Sequence, residues 1–119
     1  DAVSTTTSTS PQTKVFLNTP SLPLGTYRIG YCYEVSNGVN NRLTTVNVTF
    51  DTTGTINPQI IGSSTFEADD DYHGLGGFYV TPAEISGSYS IIMQFFTSRA
   101  SGTGQGLIRR ARLEIYRVT

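Results

Sequence analysis

From Tyr27 to Val35 the chain places an apolar or aromatic side chain at every second position. Tyr27, Ile29, Tyr31, Tyr33 and Val35 share one face, while Arg28, Gly30, Cys32 and Glu34 share the other. A period of two over five such positions predicts a β-strand with one buried face. Residues 42–51 repeat the pattern, with Val46, Val48 and Phe50 on one side and Thr45, Asn47 and Thr49 on the other. The SNGVNN stretch between them holds Asn-Gly, a hairpin-turn signature, so the two strands are expected to pair as a β-hairpin. Residues 89–98, YSIIMQFFTS, carry Tyr89, Ile91, Met93 and Phe95 on one face and Ile92 and Phe96 on the other, the pattern of a strand covered on both sides.

Shorter signals fill the remainder. Residues 13–19 alternate and stop before Pro20 and Pro23, and residues 77–82 read as a strand followed by a turn at 83–88. Residues 52–77 mix short extended pieces with loop, and RASGTGQG at 99–106 reads as a hairpin loop before the closing strand. No helical period appears. Seven or eight short strands with turn signals between them predict an all-β fold, a two-sheet antiparallel β-sandwich of jelly-roll-like form. Residues 1–12, with seven Ser or Thr in the first ten positions, have no core-forming pattern and form an arm or linker; residues 13–119 form the single domain.

Composition agrees with that class: Ser, Thr, Gly, Tyr and Phe abound, and tryptophan is absent from the 119 residues. The single cysteine, Cys32, excludes an internal disulfide and reads as a buried, inert thiol. A net charge of -1 argues against nucleic acid as partner, and no apolar run is long enough to span a membrane as a helix. The chain opens on Asp1 rather than Met, as a processed product or an excised domain would.

Four of the eight cationic residues, Arg109, Arg110, Arg112 and Arg117, crowd into the last segment, LIRRARLEIYRVT. Ala111, Leu113 and Ile115 form its core face, and Ile108 has the wrong parity to join them, which predicts a β-bulge near Arg109–Arg110. An edge strand blunted by charge is one reading. The other is an assembly surface of Arg109, Arg110, Arg112, Tyr116 and Arg117, since guanidinium groups grip carboxylates and stack on tyrosine. The acidic run FEADDDYHG supplies Glu67, Asp69, Asp70, Asp71 and His73, a loop with the oxygen donors a hard cation prefers but without EF-hand spacing. A more economical role for it is to meet the arginines of a neighbouring copy. No resident metal and no cofactor is expected.

The stretches LPLGTYRIGYCYEVS, GGFYVT, SYSIIMQFFTS and IRRARLEIYRV, in this order over about residues 11–119, resemble small β-sandwich virion proteins of tailed bacteriophages. Tyr31 and Tyr116 stand where tryptophan is usual in that pattern. The resemblance implies a structural protein on the virion exterior, a capsid decoration or fibre-head domain. Such proteins are commonly homotrimers attached to a major capsid protein or a fibre shaft, and a host-surface glycan is a further partner.

Two other function classes compete. A carbohydrate-binding β-sandwich module would use tyrosines to stack on sugars, although the Tyr27–Tyr31–Tyr33 face reads as core. An enzyme is the weakest reading. His73 is the only histidine, no nucleophile elbow is present, and Glu34, Glu67, Glu84 and Glu114 are merely carboxylates available for glycoside cleavage. The expectation is a non-catalytic protein.

Overall fold

The computed structural model describes residues 2–6, 8–37, 43–52, 59–67, 69–98 and 106–119, with side chains omitted at 37, 52, 67, 69 and 70. Ten strands follow one another: β1 (Ser4–Thr6), β2 (Gln12–Asn18), β3 (Leu22–Gly25), β4 (Tyr27–Asn37), β5 (Leu43–Thr52), β6 (Gln59–Glu67), β7 (Asp69–Val80), β8 (Ile85–Gly87), β9 (Tyr89–Thr97) and β10 (Gly106–Arg117). Sheet A has the order β1-β10-β4-β7, sheet B has the order β2-β9-β5-β6, and β3 pairs with β8 in a small ribbon. Every pairing is antiparallel. Without the ribbon, the eight remaining strands follow jelly-roll order, each changing sheet from the one before except β6, which forms a pair with β5 within sheet B. The all-β sandwich read from the sequence is therefore the observed class.

Period-two alternation determines which face of each strand is buried. In β9 buried and half-buried residues alternate without interruption from Tyr89 to Thr97. Ile91, Met93 and Phe95 meet Ile29, Tyr33, Val35 and Ile108 of sheet A in one core. Phe50 and Tyr89 stack with ring centroids 4.9 Å apart, closing one end. Residues as enclosed as Ile29 or Met93 make this core costly to truncate, at about 2–5 kcal/mol for a change to alanine. Tyr31 crosses towards sheet B at a place where only glycine fits. A Cβ on Gly62 of β6 or on Gly77 of β7 would stand 2.5 or 2.6 Å from its ring or hydroxyl.

Several expectations are corrected. β4 and β5 are not a hairpin, since β4 pairs with β10 and β7 in sheet A and β5 with β9 and β6 in sheet B. The same holds for β9 and β10, which lie in different sheets, so their connection is a crossover. Alternation reports which side of a strand is buried, and a hairpin and a sheet-to-sheet crossover satisfy it equally. The connecting residues 38–42 and 99–105 lie outside the described part.

The acidic run is also not a loop: Phe66 and Glu67 end β6, and Asp69 to Gly74 belong to β7. The turn expected at 83–88 contains β8, with Gly87 at φ 102°. Ser4–Thr6, within the expected N-terminal arm, pairs with Gly106–Ile108 of the same chain.

Candidate binding face on sheet A

The outward residues of β4, Arg28, Gly30, Cys32 and Glu34, determine the middle of sheet A's outer face. Across them on β10 stand Tyr116, Glu114, Arg112 and Arg109, and on β7 stand Val80, Phe78, Gly76 and Gly74. Small residues thus line up from strand to strand: Cys32, Gly74 and Gly76 leave this part of the sheet without tall side chains, whereas Gly30 is overlain by the Glu114 side chain, whose Oε1 would stand 2.7 Å from a Cβ placed there. The result is an open trough of about 700 Å³, lined by Cys32, Glu34, Gly74, Gly76, Arg110 and Arg112. Cys32 is exposed on its floor, which corrects the expectation of a buried thiol. The aromatics that seemed to enclose it point to the other face of the same strand.

One end of the trough is built by a bulge. Between the pairs Arg109↔Glu34 and Arg112↔Cys32, β10 has two residues where β4 has one. Arg110 takes φ 50°, a left-handed backbone rare outside glycine, and the extra residue turns its side chain outward beside that of Arg109. Simple alternation would send consecutive arginines to opposite faces. Here both reach one carboxylate: Arg109 Nε donates to Glu34 Oε1 at 2.8 Å and Arg110 Nη1 to Oε2 at 2.9 Å. Bonds from Arg109 and then Arg110 hold the Glu34 carboxyl below its ordinary value of 4.5. Arg109 also lies 3.7 Å from the centre of the Tyr72 ring, so the arginine joins rings and carboxylate into one rigid rim.

Further along the same face, beyond the Glu114 side chain that covers Gly30, lies an aromatic ledge across three strands. The Arg28 guanidinium lies 4.2 Å from the centre of the Phe78 ring, and its Nη1 donates to the Tyr116 hydroxyl at 2.6 Å. Phe78 is 59% exposed despite this support, so its outer face is available. From Arg28 to Glu34 the ledge and the rim are separated by about 20 Å at roughly 3.3 Å per residue.

On the inner side of the same strand, Tyr33 shares a hydrogen bond with Ser64 of β6, and burial pushes its phenol above the ordinary value of 10.0. The floor is therefore backed by fixed contacts between the sheets.

Four of the arginine-strand residues have partners within the chain. Arg109 and Arg110 hold Glu34, Tyr116 accepts from Arg28, and Arg117 Nη2 donates to the Leu24 carbonyl at 2.8 Å. Arg112 pairs with Cys32 through the strand ladder, and its exposed side chain stands at the trough without an ion pair or hydrogen bond to any described residue. Of the acidic run, Glu67 ends β6, whereas Asp69, Asp70, Asp71 and His73 lie on β7, on the far side of β4 from β10. The His73 ring stacks on Phe66 with centroids 5.8 Å apart. Among the described residues no three His, Cys, Asp or Glu gather where a metal could be held.

Arg28, Tyr72 and Phe78 went unnoticed in the sequence because they come from different strands. The signal available was the spacing of glycines in β7, Gly76 opposite Cys32 and Gly74 opposite Glu34, which becomes legible only once β7 is known to lie beside β4.

No family model matches this chain, and no curated protein matches its sequence. Among solved structures, one described as "CBM4 structure and function" superposes with a TM-score of 0.47 at 12% identity, over 85% of this chain and 72% of that one. A likeness at this level transfers neither residues nor activity. The chain's function has to be argued from its own all-β sandwich and the trough on sheet A.

Proposed function

We propose that this chain is a carbohydrate-binding β-sandwich module and that the outer face of sheet A holds an extended oligosaccharide. The observation that carries the reading is the trough itself: a low floor of Cys32, Gly74 and Gly76 beside the rim of Glu34, Arg109 and Tyr72, with the exposed Phe78 ring and Arg28 further along the same face beyond Glu114. A pyranose has C–H faces ringed by hydroxyls. An exposed aromatic covers such a face, while prearranged donors and acceptors satisfy the hydroxyls at small entropic cost. Phe78 and Tyr72 are the rings, and Arg28, Glu34 and Arg109 are the polar groups. A volume of about 700 Å³ suits a ligand of a few sugar units.

Calorimetric titration of the full chain with a panel of neutral and acidic oligosaccharides tests the proposal. At least one sugar class should bind, and Phe78→Ala and Tyr72→Ala should each weaken it about tenfold, the loss of roughly 1.4 kcal/mol of ring contact. If no glycan binds, or both variants bind like the native chain, the reading fails.

The resemblance in the sequence supports a second reading, a structural domain on a virion exterior. It is favoured by the large apolar side chains left uncovered away from the trough, among them Phe16 at 65% and Leu24 at 58% exposure. An outer fibre domain that grips host-surface sugar would satisfy both readings.

A further inference from the structure

The outer face of sheet A carries an unbalanced charge. Among its described side chains, the arginines Arg28, Arg109, Arg110 and Arg112 stand against the carboxylates of Glu34 and Glu114. Glu34 is already shared, bonded by Arg109 on one oxygen and by Arg110 on the other. Glu114, two residues beyond Arg112 on β10, does not answer it. Its side chain lies across β4 above Gly30, and it makes no ion pair with a described residue. Arg112 therefore keeps its whole guanidinium uncommitted, and Arg110, with 67% of its side chain exposed, gives one N–H to Glu34. Both arginines line the trough. Across the strands from Arg112 come Cys32 and then Gly76, so nothing tall occupies the floor in front of it.

We infer that the sugar held in this trough is acidic, an oligosaccharide bearing a carboxylate or a sulfate ester, with that anion seated on Arg112 and Arg110. The inference rests on the carbohydrate reading of the same face and names its ligand class. Water serves the hydroxyls of a neutral sugar as well as a guanidinium does, whereas an anion supplies the charge this face lacks. A planar guanidinium grips an oxyanion through two parallel N–H···O bonds, which fixes the sugar's position along the trough as well as its charge.

The bulge in β10 prepares that grip. Arg110 is held outward on Glu34 with its backbone at φ 50°, and Ala111 is turned to the core. Arg110 and Arg112 thus stand one after the other on the outer face, at the side of the low floor. The whole chain carries a net charge of -1, so the positive field belongs to this face and steers an anion there.

Titration calorimetry of the full chain with matched pairs of oligosaccharides tests the inference. The pairs are oligogalacturonates and oligoglucuronates with their methyl esters, and sulfated galactan fragments with their unsulfated counterparts. The uronate and sulfate pairs separate the two sources of negative charge. In at least one pair the acidic member should bind about tenfold or more tighter than the neutral one. Arg112→Ala should reduce it to the affinity of its neutral counterpart. Arg117→Gln removes the same charge from a residue bonded to the Leu24 and Thr119 carbonyls, outside the trough, and should leave the preference intact.

A second measurement needs no variant. Raising the salt from about 0.1 to 1 M shortens the screening length from roughly 10 to 3 Å and should erase most of the preference in the native chain. Neutral members that bind as tightly as acidic ones overturn the inference and leave the carbohydrate reading standing. So does a preference that survives Arg112→Ala or high salt. If no member of any pair binds, the carbohydrate reading itself fails, and this inference with it.

Discussion

The outer faces of the two sheets come from the same alternating pattern and end as different surfaces. Sheet A's outer face collects Arg28, Glu34, Arg109, Arg110, Arg112 and Glu114 around a floor of small residues, with Phe78, Tyr72 and Tyr116 at its ends. Sheet B's outer face, from Phe16 on β2 to Ile60 on β6, is nearly neutral, and Asp51 is its one charged residue among those whose side chains are described. Its polar groups satisfy each other in small local pairs. The Ser63 hydroxyl donates to Asn47 Oδ1 at 2.6 Å, Thr45 and Thr65 share a bond at 3.0 Å, and Ser90 donates to Asn18 Oδ1 at 2.8 Å. Alternation only demands that outward residues tolerate water. Whether such a face can hold a ligand depends on relief and on charges fixed by neighbours, and sheet A alone has both.

Filling the trough should break the contrast most completely. Gly74 is exposed and has open space where a Cβ would stand, so Gly74→Trp should fold normally yet abolish glycan binding. Thr65→Trp, which places the same ring on sheet B's outer face, should leave binding unchanged and lower stability by at most about 1 kcal/mol through loss of the exposed bond to Thr45. Titration calorimetry and thermal melts of the two variants side by side would show it. Equal loss of binding in both would mean that sheet A's relief is irrelevant.

The inner side of the same strands offers a smaller effect. Gly77→Val would push a side chain into the Tyr31 hydroxyl end, already confined against Gly62, and overpacking of this kind costs about 1–3 kcal/mol in denaturant melts. Gly76→Ala, one residue away, faces outward and should cost less. Its Cβ would meet the Tyr31 carbonyl oxygen at 3.2 Å and the Cys32 side chain at 3.4 Å, contacts that need only a small shift.

The smallest effect is a titration. Glu34 has its folded-state pKa depressed, so the stabilisation it receives from Arg109 and Arg110 is fully present above 4.5 and is lost as pH falls through the lower folded value. A carboxyl NMR titration should give a midpoint for Glu34 below 4.5, rising towards it in Arg109→Ala. A midpoint at or above 4.5 in the native chain would mean that the rim does not persist in solution.

Much of the fold was legible in the chain. The buried faces of β4, β5 and β9 followed from alternation, and the misfit of Ile108 located the bulge in β10. Strand neighbours were not legible, because β4 to β5 and β9 to β10 both cross between sheets where a local signal suggests hairpins. The candidate site suffered most from that gap. Arg109 and Arg110 stood out as cations, but their common partner Glu34 is 75 and 76 residues away in sequence. Cys32 looked buried because its neighbours in the chain are aromatic, although none of them shares its face.

By itself the sequence determined the class of fold, the composition of the core and the place where the last strand must break register, all consequences of short-range periodicity and side-chain character. The tertiary structure decided which strands lie side by side. That choice aligned Cys32 with Gly74 and Gly76 into a floor and brought two arginines onto one carboxylate. Lateral pairing is set by the packing of two sheets around a shared core, a sum over many distant contacts that no local stretch of the chain contains.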